Sequence, residues 1–252
     1  MKVPLETTTV REMLSKGGEC LLCDLEAKAE AQLIRYFLGN SVMQPQIRVK
    51  VNRSGFCAPH FQALYKAGNR LGLALITHTH LLETWKRIRE REKSLGNPST
   101  NASGAPNGKP FRRSSAGKRQ RANAAGLIRM LKNRKEACLI CRRLEETVRG
   151  YAFAIAYLWE KDPEFRQNLL TSGGFCLPHL AVAHELAGEN LSRSTLQNWY
   201  SDILALQKRS LDCIEKELKS FISRYDYRSE EPQPEKEKTV LPRAIQKLAG
   251  RR

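Results

Sequence analysis

One pattern is written twice in this chain and constrains its fold more than any other feature. Cys20-Leu21-Leu22-Cys23 is followed by Gly55-Phe56-Cys57-Ala58-Pro59-His60, and Cys138-Leu139-Ile140-Cys141 by Gly174-Phe175-Cys176-Leu177-Pro178-His179. The second half-motif trails the first by 33 residues between Cys23 and Cys57, and by 34 between Cys141 and Cys176. Each copy contributes three thiols and one imidazole, the donor set of a closed tetrahedral zinc site. Within each pair the donors are three residues apart. At the start of a helix both therefore lie on one face of the first turn, where the helix dipole favours the thiolate. The expectation is an all-α chain of two pseudo-repeated helical units, each stapled by a Cys3His zinc site. By repeat, the ligands are Cys20, Cys23, Cys57 and His60, then Cys138, Cys141, Cys176 and His179.

Other uses of these cysteines fit less well. A thioredoxin-like pair belongs beside a strand–helix–strand pattern, which the sequence lacks, and it leaves Cys57, His60, Cys176 and His179 without a role. A disulfide framework suits an even cysteine count and an exported chain; this one has seven Cys, and no export signal is expected. Haem attachment needs His directly after the second Cys, where Asp24 and Arg142 stand. An iron–sulfur cluster held by three Cys and one His stays open as the alternative to two zinc ions per chain.

The rest of the chain reads as helices around these motifs. Asp24–Leu38 carries a stripe of Leu25, Ala29, Leu33 and Phe37 and stops at Gly39-Asn40. Gln44–Val51 is ambiguous between helix and strand. After the first Gly-Phe-Cys turn a helix with Phe61, Leu64 and Tyr65 on its buried face is predicted, then an amphipathic stretch over Leu73–Lys93. In the second half, helices are predicted over Arg142–Glu160, from Asp162-Pro163 to Ser172, after His179, and over Ser194–Arg224, with a short one over Pro242–Leu248. His78 and His80, two residues apart, do not share a helix face and read as surface or packing residues rather than ligands. Cys213, without a partner at metal spacing, reads as a small buried apolar residue. The domain boundaries expected are 1–93 for the first repeat, 94–126 for a basic disordered linker, 127–225 for the second repeat, and 226–252 for a tail with a short helix.

The formal charge is +17, and two Cys3His zinc sites at −1 apiece leave about +15. Counted by segment the charge is even: +6 for 1–93, +6 for the linker 94–126 and +5 for 127–252. The longest apolar run, Tyr151–Trp159, is too short to span a bilayer, so a cytoplasmic protein with no membrane role is expected.

Both C-x-x-C pairs, both Gly-Phe-Cys-x-x-His turns, Gly68–Leu75, Phe221 with Asp226-Tyr227-Arg228, and Leu241-Pro242-Arg243-Ala244 with Lys247-Leu248 resemble a bacterial domain-of-unknown-function family, number 6062. The resemblance spans both halves and implies a bacterial cytoplasmic protein with metal-type ligands at the eight positions. It implies no activity. The chain departs from the family in its long basic stretch and in Gln233, where a Trp is expected after the Pro.

Three function classes follow. The first is a non-enzymatic zinc-stabilised helical protein that acts by binding an unknown protein partner, since four protein ligands fill the shell of zinc. The second is a nucleic-acid-binding regulator or RNA-associated factor, with weak binding through the basic linker. The third is a zinc-thiolate redox sensor. An enzyme would need an acid–base group near a reactive Cys, and none is placed by spacing.

Overall fold

Eleven α-helices and no strand make up the described part of the chain, which in this computed structural model comprises residues 4–96, 115–132, 137–224 and 239–251. The all-α expectation holds. The chain forms two compact units, Met1–Glu30 with Leu144–Arg252, and Ala31–Arg143, each containing one Cys3His cluster.

The first unit starts with α1 (Thr7–Lys16), which stops at Gly17 with φ +68°, a conformation suited to glycine. It includes the N-terminal part of α2 (Leu21–Leu38) and most of α7 (Leu139–Lys161). Then come α8 (Pro163–Thr171), α9 (Leu177–Asn190), α10 (Arg193–Arg224) and α11 (Val240–Ala249). Asp162 caps α8 as expected, its Oδ1 accepting from the Phe165 N–H at 3.0 Å, with Pro163 in the first turn. The core is anchored by Trp159 and Trp199, packed edge to face at 5.3 Å, with Phe165, Leu169, Phe175 and Ile203 also buried. The Trp199 indole N–H donates to His184 Nδ1 at 3.1 Å, so this large side chain is buried without an orphaned donor.

The second unit holds the remainder of α2, a 3-10 turn at Asn40–Met43, α3 (Pro45–Ser54), α4 (Ala58–Lys66), α5 (Arg70–Gly96), α6 (Ser115–Lys132) and the first turn of α7. α5 packs against α3, α4 and α6. Phe37, Phe56 and Phe61 form a T-shaped chain, 5.1 and 5.5 Å between centroids, which ties the end of α2 to the start of α4.

Several expectations are corrected. The ambiguous segment after Gln44 is helical, with Pro45 opening α3 and Ile47 and Val51 buried four residues apart. Tyr65 faces solvent rather than the core: it directly follows Leu64, the inward position of α4, and so lies off that face. Cys213 is exposed, one position off the stripe that buries Ile214, and its thiol donates to Glu217 Oε1 at 3.4 Å. α1 was not anticipated at all. The segment expected as a linker over 94–126 is helical from Ser115, because α6 lies on α5; residues 97–114 of it, and 225–238 of the tail, lie outside the described residues. The units also do not follow the expected boundaries at 93 and 127: the division falls inside α2 and α7. Among the described residues, no helix is long and apolar enough to cross a membrane.

Candidate metal centres

All four donor pairs stand at helix starts. Cys20 and Cys138 immediately precede α2 and α7; Cys57 and Cys176 are the N-caps of α4 and α9, with Pro59 and Pro178 in the first turns. A residue at the cap and one three positions on share a face, so each helix start presents a two-donor jaw. In the first of these the Cys23 N–H also points at Cys20 Sγ, 3.4 Å away.

The jaws close across the repeats, not within them. Cys20 and Cys23 meet Cys176 and His179; Cys57 and His60 meet Cys138 and Cys141. The structure brings together all eight residues expected from the sequence, but the grouping expected within each repeat is overturned. Helix length gives the reason. α2 is 18 residues, about 27 Å, and Phe56 packs on Phe37 at its far end. Cys57 therefore belongs with Phe37 to the unit at the far end of α2, where Cys138 and Cys141 complete its cage. In exchange, matching main-chain bonds form at the two centres. The Leu21 N–H donates to the Gly174 carbonyl at 3.3 Å, and the Leu139 N–H to the Gly55 carbonyl at 3.2 Å. Both glycines have positive φ, +68° at Gly55 and +79° at Gly174, and a Cβ on Gly55 would run into the His80 ring. His80 itself donates from Nδ1 to the Asn52 carbonyl at 3.0 Å, the packing role expected of it.

The geometry of each cage suits a single tetrahedral ion. His179 Nδ1 lies 3.5, 3.4 and 3.3 Å from the sulfurs of Cys20, Cys23 and Cys176, and His60 Nδ1 lies 3.1, 3.3 and 3.3 Å from those of Cys57, Cys138 and Cys141. The Cys23–Cys176 and Cys57–Cys141 sulfur pairs are each 3.7 Å apart. Tetrahedral bonds of usual zinc length place sulfurs about 3.8 Å from one another and about 3.6 Å from the nitrogen. Seven of the eight donor residues are buried; Cys141 is half-buried.

Packed this closely, the thiols do not ionise independently. Hydrogen bonds with Cys176 and Cys20 hold Cys23 far below the ordinary thiol range, while bonds with Cys176 and Cys23 push Cys20 far above it. At the other centre burial acts to raise Cys138, but hydrogen bonds with His60 and the backbone of Cys141 and Cys57 outweigh it, leaving about 6; Cys141 is pushed up to about 12, first by burial and then by Cys138. Burial opposes a charged His179, yet the thiols of Cys176 and Cys23 raise it to about 10. A divalent cation supplies the positive charge that lets all three thiolates form with a neutral imidazole. The donor set fits a metal.

Further residues support the first centre that sequence reasoning did not assign. His179 Nε2 faces Glu26 Oε2 at 3.6 Å, an arrangement that orients a ligating ring. Gln207, buried, clamps Phe175: its Oε1 accepts from the Phe175 N–H at 3.3 Å and its Nε2 donates to the Phe175 carbonyl at 2.9 Å. Lys247 of α11 is buried and donates from Nζ to the carbonyls of Glu19 and Gly173, the two chain segments that lead into Cys20 and Cys176. Burial lowers its pKa, and the neighbouring Glu19 and thiols oppose that shift. Arg243 bridges Glu19 and Glu217, and Arg251 reaches Asp24 Oδ1 at 3.0 Å. The short terminal helix thus places cationic groups beside a thiolate-rich centre. Their only signal in the sequence was the Leu-Pro-Arg-Ala…Lys-Leu motif.

Cys213 serves as an internal control. Cys213→Ser is expected to leave the metal content of the purified protein unchanged, measured by elemental analysis, whereas loss of an ion would put Cys213 among the ligands.

No curated protein and no solved structure matches the chain. Along residues 1–252, its whole length, the chain matches and therefore belongs to DUF6062, a family of unknown function.

Proposed function

We propose that the chain is a non-enzymatic zinc-binding helical protein, a binding or scaffold protein in which Cys20, Cys23, Cys176 and His179 hold one structural ion and Cys57, His60, Cys138 and Cys141 the other. The observation that carries this reading is the completeness of each cage: four protein donors whose ligand atoms all lie within 4.8 Å of one another. Such a shell leaves zinc no position for water or substrate, which is the mark of a structural rather than a catalytic site. The same spacing favours one ion over the iron–sulfur alternative, since the body of a multi-iron cluster holds its thiolates farther apart. When bound, the ion supplies cohesion, drawing two helix starts distant in sequence into one unit. Burial of most of the thiols also argues against the redox-sensor reading, which needs accessible sulfur.

Elemental analysis of protein purified without chelator tests the assignment. Two zinc ions per chain and no visible iron–sulfur absorption are expected. Stoichiometric iron, or less than one metal per chain after gentle purification, would overturn it.

A further inference from the structure

The positive charge of this chain resides in one of its two units. Residues Ala31–Arg143 hold 23 Lys and Arg against 4 Asp and Glu, a net +19; the other unit holds 20 against 22, a net −2. Counting by repeat conceals this, because the structural division does not follow the repeats. Within the basic unit, Arg87 holds Glu83 at 3.1 Å, but four carboxylates cannot neutralise 23 cations however they are placed. In the other unit cations are met in kind: Arg149 by Glu185 and Glu189, Arg166 by Asp202, Arg243 by Glu19 and Glu217. So concentrated a charge destabilises its own unit and calls for a polyanionic partner.

The chemistry of the surface narrows the class of partner. The basic unit has 15 Arg to 8 Lys, whereas the other has 10 of each. A lipid surface responds to charge and does not distinguish the two, but phosphodiesters and bases favour the planar guanidinium, which binds oxygens in pairs and stacks. Exposed aromatic rings accompany the arginines. Tyr36, Tyr65 and Trp85 are 38%, 58% and 51% exposed, and each has a guanidinium over its ring: Arg143 at 5.2 Å, Arg70 at 3.6 Å and Arg89 at 5.9 Å. On α5, Trp85, Lys86, Arg89 and Lys93 are all exposed and fall within an arc of about 100°. On α6, which packs against α5, Arg121, Arg129 and Lys132 are exposed and fall within about 80°. Basic stripes, one of them carrying an exposed Trp ring, suit a flexible strand whose phosphates are tracked and whose unpaired bases stack.

We propose that the unit Ala31–Arg143 binds single-stranded nucleic acid, with α5 and α6 contacting the phosphates and Trp85 offering a stacking face for a base. The proposal goes beyond the zinc reading and does not depend on which metal the centres hold.

Fluorescence anisotropy with the full-length, metal-loaded protein tests it, using labelled mixed-sequence single strands of RNA and of DNA about 16 nucleotides long and, as a competing surface, vesicles of phosphatidylcholine with phosphatidylglycerol. Binding to one or both strands is expected at about 150 mM salt. K86Q/R89Q/K93Q should weaken it about tenfold and reduce the log–log salt slope by about 2, from three lost contacts at about 0.7 each. W85A should weaken it at least about fivefold with the slope unchanged, since a stacking contact carries no charge. R121Q/R129Q/K132Q provides an independent second variant on α6, and K216Q/K219Q in the other unit should change nothing. A preference for RNA over DNA would assign the 2′-hydroxyl a part and supports the proposal, as does equal binding. It is overturned by an absence of binding to either strand, by tighter binding to the vesicles, by an equal effect of K216Q/K219Q, or by loss confined to K109Q/R112Q/R113Q.

Discussion

Treated with a strong chelator and then dialysed, the protein is expected to lose most of its far-UV helical signal and to regain it when zinc is returned. The size of the effect follows from where the centres sit. Each unit contains one, and each centre joins two helix starts that are far apart in sequence: α2 with α9, and α4 with α7. A structural zinc site contributes about 10–16 kcal/mol of apparent binding free energy, whereas a whole domain is stable by only about 5–15 kcal/mol. Loss of the ion also leaves three close thiols and an imidazole competing for charge inside a buried cage, as the opposed shifts of Cys20 and Cys23 show. Both units should respond, since the two cages have the same donors and near-identical spacing. Circular dichroism before and after chelation reads the change directly. A helical signal that survives complete metal removal would mean that hydrophobic packing alone, through Trp159, Trp199 and the Phe37–Phe56–Phe61 chain, maintains the fold.

The eight donors were legible in the sequence because metal chemistry demands particular residue types at helix-turn spacing, and duplication repeats the signal. Their grouping was not, because two C-x-x-C jaws and two C-x-x-H jaws can be matched in two ways and the motif is identical in both. Only the length of α2, and the packing of Phe56 against its far end, separates Cys57 from Cys20. Long helices with regular stripes, such as α2, α7 and α10, were placed correctly apart from their ends. α6 was missed because Gly117, Asn123, Gly126 and a polar first half without an apolar stripe mask its helix-forming Ala and Arg residues, and it packs against α5. Tyr65 illustrates a related limit: an aromatic residue in a periodic stretch reads as core, and only the packed structure shows that it faces solvent. The segregation of charge was hidden for a different reason, since a sum over sequence segments reports on compact units only when segments and units coincide.

The cross-repeat grouping of ligands is the claim on which the account turns, and it makes an opposite prediction from the simpler grouping for the same pair of variants. C20S/C176S removes two donors from one centre and leaves Cys57, His60, Cys138 and Cys141 whole. C20S/C57S removes one donor from each centre, leaving three protein ligands in both and two weakened sites open to a competing chelator. Elemental analysis after dialysis against a mild competing chelator is the measurement that separates the two cases. We expect one ion per chain for C20S/C176S and essentially none for C20S/C57S; one ion retained by C20S/C57S and none by C20S/C176S would show that each repeat closes its own site, and would contradict the structure described here.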